Sequence, residues 1–191
     1  IKVGETRKSK STRSMKTMKE VFNTSKVNLV RTDFEIKLAT RNLPITGSDR
    51  QSYEDDILII LEDASFSMSQ NSGYLVTKAI QRLLLRTDKK VHYYRYVGSK
   101  LEMVELYTRE EKLEYFSNHQ KYTRGVCDYN FLFSSINKDY SRGDVIIITD
   151  GSDYVPKFSR VSLTYNCIGP PGNPSMERFV KVSGGKYITI N

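Results

Sequence analysis

The 191 residues carry 38% hydrophobic side chains, no Trp and a formal net charge of +8, enough apolar material for one ordinary domain plus an extension. No run approaches the roughly 18–20 apolar residues of a membrane span, and no apolar segment follows the basic N-terminus as a signal peptide requires; what lies upstream of Ile1 is left open. Cys127 and Cys167 match no zinc spacing, and two thiols in a chain of this size read as reduced, in an intracellular setting.

The charge is unevenly placed. Residues 1–52 hold 12 Lys/Arg against 5 Asp/Glu, a net of +7, which leaves residues 53–191 nearly neutral. The chain therefore divides into a basic N-terminal arm, 1–52, and a domain, 53–191. Residues 1–26 are polar and rich in Ser and Thr, with a helical stripe only at Met15, Met18 and Phe22. They read as an extended contact arm whose binding residues are Arg7, Lys8, Lys10, Arg13, Lys16 and Lys19. Residues 34–45 alternate weakly, as an edge strand or an arm lying on the domain does.

From Ile57 the pattern changes. Ile57–Leu61 is a continuous apolar run, the mark of a parallel strand covered on both faces. Leu75–Leu85 places Leu75, Ala79, Ile80, Leu83 and Leu84 on one helical face. Val91–Val97 is rich in β-formers, and Leu101–Leu106 pairs with it as a hairpin through Gly98–Lys100. Residues 109–118 and Tyr129–Tyr140 read as short helices, and Asp144–Gly151 as a second apolar run ending in an acid. A further strand, VSLTYNCIG, precedes a helix that opens at Pro174 and stops at Gly184 and Gly185; KYITI is the last strand. His92 and His119 are isolated and read as half-buried or surface residues, not ligands. Strands alternating with helices predict an α/β fold: an open, mainly parallel, doubly wound Rossmann-like sheet with helices on both faces, which binds ligands at the carboxyl ends of its strands.

Both acid-ended runs bring oxygen to that edge. The first delivers Asp63, Ser65 and Ser67 as D-x-S-x-S; the second delivers Asp150 within Thr149-Asp150-Gly151; Gly125-Val126-Cys127-Asp128 lies between them at the start of a helix. Taken singly these are ordinary features: Asp and Ser cap helices, and Asp-Gly makes turns. As an ordered set after two buried strands, they resemble the von Willebrand factor A (VWA) domain and its metal-ion-dependent adhesion site (MIDAS). The ending FVKVSGGKYITI is similar to the family's last helix and strand, and the resemblance spans residues 55–191.

The resemblance implies a site made of Asp63, Ser65, Ser67, Asp128 and Asp150 that binds Mg²⁺ or Mn²⁺ and takes a carboxylate from a protein partner. The chemistry agrees: hard divalent cations take oxygen ligands and keep several waters, and hydroxyl ligands add no charge, which leaves the ion electrophilic. Two positions depart from the family pattern. Phe66 stands where Gly is usual and must point outward or into a groove. Cys127 stands where Thr is usual, and a soft thiol is a poor ligand for Mg²⁺, so the expected site is weak or empty of metal. Asp63, at the sheet edge, is expected to be replaceable by Ala without loss of the fold.

The function expected is a metal-dependent protein–protein interaction module of an intracellular complex. The branch of the family that includes CoxE and the cobaltochelatase subunit implies a partner AAA+ ATPase of the MoxR type or a multi-subunit assembly; the chain itself has no G-x-x-x-x-G-K-S/T loop. The alternative is nucleic-acid binding, or a virion or assembly role, through the basic arm. An enzyme is not expected, because no His, Lys or paired-carboxylate arrangement accompanies the Asp and Ser residues. The location expected is cytoplasmic, or the virion for a viral protein.

Overall fold

The computed structural model describes residues 57–118, 121–141, 143–151, 154–157 and 163–189. The six basic residues of the arm, the strand expected over residues 34–45, the boundary at residues 52–53 and His119 lie outside the described residues.

Six strands form one sheet: β1 (Ile57–Asp63), β2 (Lys90–Val97), β3 (Lys100–Leu106), β4 (Asp144–Ile148), β5 (Thr164–Gly169) and β6 (Tyr187–Thr189). Their order is β3-β2-β1-β4-β5-β6. β1 pairs in parallel with β2 and β4, β4 with β5, and β5 with β6; β3 alone is antiparallel, hairpinned to β2. The helices are α1 (Asn71–Leu84), α2 (Arg109–Ser117), α3 (Tyr129–Asp139) and α4 (Pro174–Val182). This is the mainly parallel, doubly wound arrangement that the alternation of strands and helices predicts.

The apolar run of β1 serves two cores, because side chains alternate across a strand. Leu58 and Ile60 pack with Val76, Ala79, Ile80, Leu83 and Leu84 of α1 and Phe116 of α2. Ile59 and Leu61 face Leu132, Phe133 and Ile136 of α3 and Met176, Phe179 and Val180 of α4. β4 divides likewise, Ile146 and Ile148 to one side and Val145 and Ile147 to the other. With both faces covered, every side chain in the middle of these strands must be apolar or fully hydrogen-bonded.

Two side chains sit differently from expectation. Ala79, Ile80, Leu83 and Leu84 of α1 are buried as expected, joined by Val76, Thr77 and Gln81, and Leu75 is only half-buried. Gln81 reaches inward to Tyr93, its Nε2 lying 3.4 Å from the phenol oxygen. His92 is buried, its Nδ1 on the Tyr140 hydroxyl and its Nε2 3.2 Å from that of Tyr107. Burial lowers its pKa, and the nearby Glu105 carboxylate opposes that shift.

Candidate metal centre

The parallel strands β1, β2, β4 and β5 end at one edge of the sheet, and the loops leaving them are joined by backbone bonds. Ala64 N–H donates to the Tyr96 carbonyl at 2.8 Å, and Thr123 N–H donates to the Ala64 carbonyl at 3.0 Å. Ser65 pairs with Thr123, and Gly98 with Cys127, as isolated bridges. The loop between α2 and α3 is thereby fastened beside the D-x-S-x-S turn.

Asp63, the last residue of β1, is 1% exposed. Its Oδ1 accepts the Ser65 N–H at 2.8 Å and its Oδ2 accepts the Thr149 hydroxyl at 2.9 Å. The Thr149 oxygen in turn accepts the Gly151 N–H at 3.0 Å and lies 3.4 Å from the Tyr129 hydroxyl. Gly151 has φ +74°, a left-handed conformation that suits a residue without Cβ and folds its N–H back over Thr149. The Ser65 and Ser67 hydroxyls are 3.0 Å apart. Ser67 lies in a single 3₁₀ turn, Phe66–Ser69, that separates the strand from α1.

Capping does not explain these residues. The N-cap of α1 is Gln70, and it makes no side-chain cap bond. Asp63 turns its oxygens to the neighbouring loops instead. Its pKa is raised chiefly by burial, with the charge of Asp150 adding to the rise; bonds from Ser65 and Thr149 oppose it. The Oδ1 of Asp150 is shielded from solvent and has no hydrogen-bond partner among the described residues. An orphaned carboxylate oxygen close enough to a second carboxylate to raise its pKa is a poor arrangement for a protein alone. It is a fitting one for a hard divalent cation, since every donor is oxygen.

The other three sequence positions have separate roles. Asp128 caps α3: its Oδ1 accepts the Phe131 N–H at 3.1 Å and its Oδ2 accepts the Ser99 hydroxyl at 3.2 Å. Cys127 is 6% exposed and packs in the core with Tyr96 and Tyr129. Phe66 is 47% exposed, pointing outward as its replacement of Gly requires.

Sequence spacing assigns no role to Glu62, Arg95 or Tyr122, and Thr149 enters it only as part of Thr149-Asp150-Gly151. Glu62 is fully buried and takes the Tyr93 hydroxyl at 2.7 Å, the Arg95 Nε–H at 3.3 Å and the Tyr122 hydroxyl at 3.0 Å. The Arg95 guanidinium lies 5.0 Å over the Tyr122 ring. Tyr122 immediately precedes Thr123, so this cluster holds the α2–α3 loop beside Ser65. No spacing rule links Glu62 to partners 31 to 60 residues away; the one sequence hint was an acid inside a buried run.

The fold with its sheet order and edge geometry can be set beside known structures. The VWA domain of SpRpn10, a crystal structure, matches over 71% of this chain and 87% of its own, with a TM-score of 0.50 and 9% identity. The fold is VWA-like. At that identity the match speaks for architecture alone. No family model matches the sequence, and no curated protein matches it. Among the described residues no helix is long and apolar enough to cross a membrane.

Proposed function

We propose that the protein is a protein-interaction module of an intracellular, cytoplasmic complex, whose VWA-like domain engages an acidic residue of its partner through Mg²⁺ or Mn²⁺ held at the carboxyl edge of the sheet. The observation that carries this reading is the convergence of Asp63, Ser65, Ser67 and Asp150 at one edge, with the Asp150 Oδ1 buried and unbonded among the described residues. A bound cation would supply an electrophilic position for one carboxylate from outside. Asp63 and Asp150 would balance its charge, and Ser65 and Ser67 would offer neutral oxygens. Thr149 orients Asp63, and Asp128 acts one step away, by fixing the start of α3.

Cys127 supplies no hard oxygen, so the affinity expected is weak. Binding rather than catalysis is the reading favoured, because the Ser65 and Ser67 hydroxyls bond each other and neither meets a His or Lys base among the described residues. A MoxR-type ATPase or another assembly subunit is the kind of partner that fits a docking domain of this fold.

Melting curves test the reading. A ligand that binds only the folded state stabilises it by RT ln(1 + [L]/Kd), about 1.4 kcal/mol when the ion is tenfold above Kd. Adding ~10 mM Mg²⁺ or Mn²⁺ should raise the midpoint by several degrees, and EDTA should reverse the rise. A midpoint indifferent to both ions would remove the metal from the account.

A further inference from the structure

The sheet has two lateral edges, β3 and β6. β6 has three residues, but β3 has seven, and among the described residues it pairs only with β2. Alternate backbone N–H and C=O groups of Lys100–Leu106 therefore face away from the sheet, as a template for a further strand. The core is also incompletely covered there. Leu101 and Met103 stand opposite Tyr96 and Tyr94, which are buried on the α3 face of the sheet, yet Leu101 is half-buried and Met103 is 48% exposed. One more strand with apolar side chains on that face would close it. Lys100, Glu102 and Glu105 are exposed, charges of the kind with which edge strands discourage indiscriminate pairing; an occupant has to match them.

The chain carries a matching segment ahead of β1. Phe34-Glu35-Ile36-Lys37-Leu38 alternates apolar and charged residues, the period of a strand with one buried face. We propose that residues 35–41 add to the free side of β3 as a parallel strand, with Glu35 beside Lys100, Lys37 beside Glu102 and Leu38 beside Met103. This register lays Ile36 and Leu38 along Leu101 and Met103, and it sets Glu35 and Lys37 against opposite charges of β3. Slipping it by two residues sets Glu35 on Glu102, like charges that repel. The antiparallel register that covers the same two apolar residues matches one charge only and sets Phe34 against Glu105.

The connection fits as well. A strand parallel to β3 ends at the amino edge of the sheet, where Ile57 opens β1 beside Lys90. Three strand spacings, roughly 14 Å, separate the two ends, and residues 42–56 reach up to about 50 Å. Pro44, which has no N–H to donate, falls outside the paired residues.

Two measurements on the full chain test the pairing, both in EDTA so that no ion contributes. Leu38→Cys/Met103→Cys should form a disulfide within one chain under mild oxidation, because neighbouring strands lie about 4.8 Å apart and a disulfide spans Cα separations of roughly 4.4–6.8 Å. Leu29→Cys/Met103→Cys should link at least about tenfold more slowly. In hydrogen exchange read by NMR, alternate amides of β3 should exchange at least about tenfold more slowly in the wild type than in Ile36→Asp/Leu38→Asp, with β1 and β4 unchanged. If the Asp variant loses protection in β1 and β4 too, the cross-link alone decides. A disulfide between chains, with β3 protection that fades on dilution, gives the edge to a second copy and overturns the proposal. Faster linking of Ile36→Cys/Met103→Cys overturns the parallel register. Equal exchange of β3 in wild type and variant, with no preferred link, overturns the pairing itself.

Discussion

Replacing Arg95 by Met should lower the stability of the domain by about 3–5 kcal/mol, the usual result of removing one partner of a buried ion pair, or roughly 10 °C or more in melting temperature at this size. Arg95 and Glu62 are 8% and 0% exposed, and their charges meet at 3.3 Å. Without the guanidinium, Glu62 keeps only the two phenol donors and the more distant Lys78. A second variant isolates the charge: adding Glu62→Gln leaves a carbonyl oxygen to accept one of the two phenol hydroxyls and an amide to donate to the other phenol oxygen, removes the stranded carboxylate and should recover most of the loss.

The pH dependence has a definite sign. Burial already holds the Glu62 carboxyl above its ordinary value of 4.5, with Arg95 as the leading opposing influence. An acid whose pKa is raised by folding binds protons more readily in the folded state, so stability falls as pH rises from the unfolded pKa through the folded one. Loss of Arg95 raises the folded pKa further. The deficit of Arg95→Met should therefore be smallest in acid and grow toward neutral pH. A deficit below about 1 kcal/mol, or one flat from pH 5 to 8, would show that the pair does not hold this cluster together.

Asp63→Asn should weaken Mg²⁺ or Mn²⁺ binding at least 100-fold and yet leave the metal-free melt within about 1 kcal/mol of wild type. The two halves of this expectation come from different features. The ion loses an anionic ligand. The metal-free fold loses an acceptor toward Ser65 or Thr149 but is relieved of a buried charge that Asp150 opposes. The expectation that Asp63→Ala spares the fold does not carry over: Asp63 is buried, and Ala would leave the Ser65 N–H without its acceptor. Titration calorimetry with melts in EDTA checks the Asn variant. A metal-free melt many degrees below wild type with ion binding intact would make Asp63 a purely structural residue.

Much of this architecture was readable because local and global signals agree. The unbroken Ile57–Leu61 run, short and rich in Ile, reads as a strand covered twice, and it feeds both cores. Gly98, Pro174 and Gly184 punctuated the elements where turns and caps need them. Asp63, Ser65, Ser67 and Asp150 were legible as a group because chain order and strand ends imply one edge. The remainder depends on tertiary placement. Thr149 matters through a bond to a residue 86 positions away, and Glu62 through three partners on two other elements. Asp128 stands directly before α3 and caps it, a role that spacing alone does not reveal. The burial of Gln81 on α1 depends on Tyr93 of another element, which its bond meets.

The central claim about function is that the carboxyl edge holds a divalent cation. An anomalous difference map from crystals soaked in Mn²⁺ asks this directly, because manganese scatters anomalously and protein oxygen does not. The account predicts one peak within coordination distance, about 2.0–2.4 Å, of oxygens from Asp63 or Asp150 and from Ser65 or Ser67, directly or through ordered water. A map with no peak among these oxygens at millimolar Mn²⁺, in crystals whose edge is open to solvent, would contradict it.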